Sequence, residues 1–206
     1  TAMTGHQFEE LSGAVGELEQ YGHEAELFDA EAMRSELDSP LFTGGLWQKS
    51  GECLIDPVKL CDGLARLAEG LGVRIHENTL MTGFEETDGV VTVSTADGRI
   101  SASRVLLATA AFHSPVGAIR RRVVPVFDYV LMSEPLTPAQ WDSIGWNNRQ
   151  GFSDSANQFH YYRPTADGRI LWGGYDAVYN YGGRVEEDYY QRDESFAGLA
   201  HRFFAA

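Results

Sequence analysis

Apolar residues recur every three or four positions from Gln7 to Tyr21, with Phe8, Leu11, Val15 and Leu18 on one side and acidic residues on the other. That spacing predicts an amphipathic helix. A second short helix is expected from Ala30 to Leu37, capped by Asp29 and followed by Pro40. Thr43 to Pro57 reads as a glycine-rich loop running into a helix start, with Asp56 as N-cap and Pro57 as the first helical residue. Leu60, Leu64, Leu67 and Leu71 then form one stripe, and Gly72 ends the helix. Beyond Gly72 the period shifts from helical to alternating. Val73 to Glu77, Leu80 to Glu85, Val90 to Thr95 and Arg99 to Ala102 read as strands, with tight turns at Asp88-Gly89 and Asp97-Gly98.

Val105 to Ala108 shows no polar alternation at all, the pattern of a strand buried on both faces of a helix-covered sheet. Small residues, Ala108 to Ala111, follow where that strand ends. They remove bulk at the carboxyl end of a strand, where open α/β sheets bind ligands. After Arg120-Arg121-Arg122 the chain returns to β structure from Val123 to Met132, and Thr137-Pro138 opens a helix through Ile144. Gln158 to Arg163 and Arg169 to Tyr175 form a hairpin around Pro164 to Gly168. Its alternation puts Phe159, Tyr161 and Arg163 on one face and His160 and Tyr162 on the other. A last helix is expected from Glu187 to the end.

Composition changes the picture in three respects. With 206 residues the chain is long enough for one large domain or two modest ones. A formal net charge of −14 argues against a nucleic-acid partner, which needs a basic surface. No apolar run is long enough to suggest a membrane span, so a cytoplasmic protein is expected. The cysteines, Cys53 and Cys61, read as buried thiols, and His76 lacks a neighbour at metal-ligand spacing. The chain starts without Met and stops within an apparent helix, so a piece of a longer protein is expected.

The order of these segments resembles a family, the FAD-dependent amine and amino-acid oxidoreductases of the D-amino-acid-oxidase superfamily, with the gamma-glutamylputrescine oxidase and sarcosine oxidase-like members most alike. The resemblance is carried by Gly44-Gly45-Leu46-Trp47 with Asp56-Pro57, by Gly72 to Thr79, by Val105 to Ala111, by Val124-Pro125-Val126, and by Tyr161 to Pro164 with Ile170 to Gly174. It implies an α+β fold: part of an FAD-binding α/β domain joined to a mixed, largely antiparallel substrate-domain sheet with flanking helices. The division expected is a helical segment over 1–43, a partial FAD-binding domain over 44–118 and a substrate-binding domain over 119–206.

It also implies that Met81, Ala108, Thr109 and Ala110 border the FAD, with Ala110 where the family more usually has Gly. Tyr161 would face the substrate and Arg163 would pair a substrate carboxylate, and Trp172 and Tyr175 are candidate pocket walls, although alternation faces them apart. Trp47, from its place in the loop before the helix, is read either as covering a ligand or as packing against that helix. The substrate would be a small amine or amino acid that loses a hydride to the flavin and becomes an imine. No catalytic base is assigned. The family's phosphate-binding Gly-x-Gly-x-x-Gly turn is absent from the sequence. The remainder of the FAD domain would come from further sequence or another chain, and this piece alone is not expected to hold FAD tightly or turn over. A flavin-free ligand- or partner-binding domain is the alternative.

Overall fold

A computed structural model describes residues 1–112, 114–174, 177–190 and 192–205, with side chains to residue 201. Tyr175, one of the candidate pocket walls, and Ala206 lie outside the described residues. The chain folds as an α+β protein whose strand pairings are antiparallel. Packing divides it into two compact units, Thr1–Leu54 with Phe127–Val178 and Glu187–Ala206, and Ile55–Val126 with Tyr179–Glu186. These boundaries differ from those expected at 43 and 118. Met33, Leu37 and Phe42 belong to the same apolar core as Tyr129, Trp146, Tyr162 and Trp172, so the N-terminal segment is part of the larger unit.

In that unit, α1 (Gly5–Gln20) starts at a reciprocal capping box between Thr4 and Gln7. Strand β1 (Ala25–Asp29) pairs with β2 (Gly44–Gln48), so Gly44 to Trp47 is a strand and not the expected loop. Gly44 and Gly45 are buried there, and a Cβ on either would collide with Phe8 or with the Met33 sulfur. Helix α2 (Ala30–Glu36) begins as expected, the Asp29 carboxylate accepting from the backbone of Glu31 and Ala32.

The smaller unit holds α3 (Pro57–Gly70), whose N-terminus Asp56 caps through Val58 and Lys59. It also holds a meander of β3 (Met81–Thr87), β4 (Val90–Thr95) and β5 (Arg99–Ala102), and the short α4 (Gly117–Arg120). Asp88 and Gly89 both take positive φ, as the tight Asp-Gly turn requires. Two expected strands are missing. Val73 to Glu77 and Val105 to Ala108 have no ladder, and Leu106 is 90% exposed. An apolar strand of this kind is stable only inside a sheet that satisfies its backbone on both sides, and among the described residues nothing pairs with it. The leucine stripe of α3 is exposed as well, and so are Cys61 on that helix and Cys53 in the larger unit, which are therefore not the buried thiols expected.

The larger unit then adds β6 (Val130–Met132), α5 (Pro138–Ile144), β7 (Phe152–Ser153), β8 (His160–Pro164), β9 (Ile170–Gly174) and α6 (Asp193–Ala205). The strands form one sheet in the order β6-β9-β8-β7. The β structure expected from Val123 is confined to β6 and an isolated bridge between Phe127 and Val178. Alternation along β8 and β9 is as expected: His160, Tyr162, Ile170 and Trp172 are buried on one face. There Tyr162 stacks on Trp172 with ring centroids 4.7 Å apart, and Trp146 meets Tyr162 edge-on.

Candidate active site

Register decides what each face of the sheet can do. Tyr161 lies opposite Gly173 and Tyr162 opposite Trp172. Trp172 therefore stands on the core face, away from Tyr161, and lines a cavity of about 330 Å³ with Leu37, Phe42, Trp146 and His160. It is not a wall of the Tyr161 pocket. On that core face the Asp154 carboxylate, almost wholly buried, lies 2.8 Å from His160 Nδ1 and accepts from the His160 and Ala156 backbone N–H groups. These bonds close the β7–β8 connection.

The opposite face forms a cleft of about 580 Å³ lined by Trp47, Tyr161, Arg163, Glu36, Lys49 and Gln150, among others. So Trp47, distant in sequence, shares one cleft with Tyr161 and Arg163, the other two residues expected to meet the substrate. Trp47 reaches it from β2, with Lys49 Nζ 4.9 Å from its ring centroid and Phe28 packed behind. Lys49 also donates to Glu26, which raises its pKa. Among the described residues the Arg163 guanidinium makes no hydrogen bond or ion pair, which leaves a half-buried cation open to an anion.

Three features of the cleft were not found from sequence. Glu36 accepts from Asn148 Nδ2 at 2.6 Å and Gln150 Nε2 at 2.8 Å, so a carboxylate lines the cleft held by two neutral amides. The Gln150 Oε1 atom is buried without a hydrogen-bond partner among the described residues. The Tyr161 hydroxyl donates to Asp128 Oδ2 at 3.0 Å. Burial, then this hydrogen bond and the Asp128 charge, push the Tyr161 pKa up to about 12. Nothing in the local pattern marks these pairs, because each joins segments far apart in the chain.

The residues expected at the cofactor all belong to the smaller unit. Met81 opens β3 opposite Thr95. Ala108 to Ala110 run outside any strand, and the Phe112 N–H closes a turn on the Thr109 carbonyl at 2.9 Å. Ala110 has φ 46°, in the left-handed region that glycine adopts most easily. A small-residue backbone turn of this kind suits the close approach of a flat nucleotide. The described residues include no cluster of three or more His, Cys, Asp or Glu placed to hold a metal ion. None of their helices is long and apolar enough to cross a membrane.

The profile of the family described as "FAD dependent oxidoreductase" matches residues 1–205. The "Probable oxidoreductase OrdL" of Haemophilus influenzae is 33% identical over 153 residues, which is 72% of this chain and 35% of that protein. The "Gamma-glutamylputrescine oxidoreductase" of Escherichia coli K12 is 32% identical over 176 residues, 84% of this chain and 41% of that protein. The chain thus spans less than half the length of the curated relatives it matches. Among solved structures, an L-proline dehydrogenase from P. horikoshii superposes with a TM-score of 0.75 at 18% identity, covering 99% of this chain and 54% of that one. Glycine oxidase from Bacillus cereus gives 0.74 at 15% identity, covering 98% and 52%. At these identities the structural likeness establishes the fold.

Proposed function

This chain belongs to the family of FAD dependent oxidoreductases, and from that premise we propose that it supplies the substrate-side cleft of an enzyme oxidising a small amine or amino acid. The observation that carries this reading is the convergence of Trp47, Tyr161 and Arg163 on one cleft, with Arg163 unpaired among the described residues. Arg163 holds a substrate carboxylate, Tyr161 lies beside the substrate nitrogen, and Trp47 covers the ligand and excludes water. The names of similar proteins fit substrates of this class: gamma-glutamylputrescine, proline and glycine are each an amine or an amino acid. Met81, Ala108, Thr109 and Ala110 would border FAD, which would supply a hydride acceptor for the carbon beside nitrogen. The exposed leucines of α3 and the unpaired 105–108 segment support the view that further protein completes the FAD domain.

The test is a screen of amines and amino acids against the complete flavin-loaded enzyme that contains this chain, with flavin bleaching under anaerobic conditions as readout. Arg163→Ala should raise KM for carboxylate-bearing substrates, and Tyr161→Phe should lower kcat/KM, with flavin retained in both. If both variants keep the parent kinetics, the cleft is not the substrate site.

A further inference from the structure

Asn148 and Gln150 reach back 112 and 114 positions to hold one carboxylate. Asn148 Nδ2 donates to Glu36 Oε2 at 2.6 Å, and Gln150 Nε2 donates to the same atom at 2.8 Å. Between them Arg149 turns the other way, lying over Trp141 at 4.8 Å and donating to the Thr165 carbonyl at 2.7 Å. Two features of this loop run against stability. Arg149 takes φ 52°, a left-handed conformation that is strained for a residue with a side chain. Gln150 Oε1 is buried without a hydrogen-bond partner among the described residues, so its desolvation goes uncompensated. Both costs fall in the loop that fixes Glu36, and Glu36 lines the cleft from α2.

Neutral amides hold a carboxylate without cancelling its charge. Glu36 Oε1 makes no hydrogen bond or ion pair among the described residues. Lys49 also lines the cleft and feels the Glu36 charge, yet its ammonium donates to Glu26. The cleft thus presents a positioned, half-buried negative charge, and a cation is the ligand group that pairs with it. That cation is not the nitrogen being oxidised. Loss of a hydride from the neighbouring carbon needs the nitrogen lone pair, and a carboxylate at hydrogen-bond distance would hold that nitrogen protonated.

We propose that Glu36, positioned by Asn148 and Gln150, is a specificity-determining residue that pairs a second, non-reacting ammonium group of the substrate. The cleft then favours amines that carry two cationic nitrogens over those that carry one. The inference rests on the reading of this cleft as the substrate site and deepens it by naming which amines it takes.

The test compares 1,4-diaminobutane and 1,6-diaminohexane with the n-alkylamines of equal length. Each is titrated calorimetrically into the complete flavin-loaded enzyme that contains this chain, with the flavin already reduced so that no amine is consumed. A diamine should bind about tenfold more tightly than its monoamine, the scale of one charge-assisted hydrogen bond. Glu36→Gln keeps an acceptor for both amides but loses the charge, and should bring the diamine down to the affinity of the monoamine. Asn148→Ala removes one of the two N–H donors that hold the carboxylate and should lose part of the preference. Far-UV circular dichroism and retained flavin show that each variant is folded. An undiminished preference in Glu36→Gln, or no preference for either diamine in the parent enzyme, would overturn the role of Glu36, while the Arg163→Ala and Tyr161→Phe kinetics decide the cleft separately. If those two variants keep the parent kinetics and no probe binds, both readings fall.

Discussion

Gly173→Ala tests how closely the site depends on one missing methyl group. Gly173 does not take a positive φ, so alanine brings no backbone strain there, and the whole effect must come from its Cβ. That atom would sit 2.6 Å from Cζ and Oη of Tyr161 and 2.8 Å from Cε2, where ordinary contact begins at 3.4 Å. The ring must therefore retreat by about 0.8 Å, which strains the 3.0 Å bond from its hydroxyl to Asp128. Overpacking of one methyl group costs about 1–3 kcal/mol, and a hydrogen bond to an exposed carboxylate adds to the lower part of that range. The expected loss is about 2 kcal/mol in urea unfolding, with the Tyr161 pKa falling back toward its ordinary value. The same substitution in a Tyr161→Ala background should cost close to nothing, because the clashing ring is gone. An equal loss in both backgrounds would refute the argument, since it would place the strain somewhere other than the Tyr161 ring.

Other outcomes follow from the same geometry. Asp154→Ala removes the acceptor for the His160 side chain and two backbone N–H groups from a buried position, and should cost about 3 kcal/mol in a urea melt; a change below about 1 kcal/mol would mean the pair does not hold the β7–β8 connection. Leu106→Ser should alter the stability of this chain by less than about 0.5 kcal/mol, because the side chain is 90% exposed, and a larger loss would show that segment 105–108 is packed. Tyr161 binds its proton more tightly folded than unfolded, so the stability it contributes is whole below pH 10.0 and is lost as pH rises through about 12. Alkaline unfolding series should therefore show the parent chain losing stability relative to Tyr161→Phe over that interval, and parallel curves would contradict the raised pKa.

Sequence pattern determined the local elements on this chain. Thr137, Asp29 and Asp56 cap the helices they precede, because capping needs only the residue and the backbone two or three positions on. The alternation of β8 likewise separated Tyr161 and Arg163 from His160 and Tyr162, since a strand's two faces are fixed by parity. Whether an apolar run becomes a strand was decided by its neighbours: Val105 to Ala108 has the pattern of a buried strand, yet no described residue pairs with it. β1 and β2 show the converse, a pairing between two segments whose local pattern does not mark them as strands. The site follows the same division. Tyr161, Arg163 and Trp47 were legible as residue types on recognisable segments, whereas the Asp128 partner and the Gly173 seat of Tyr161, and the Glu36 carboxylate, exist only once β9, β6 and α2 are folded around β8. Hydrogen bonds between residues 33 and 114 positions apart leave no periodic trace, because periodicity records the neighbours along a chain and tertiary contacts record those across it.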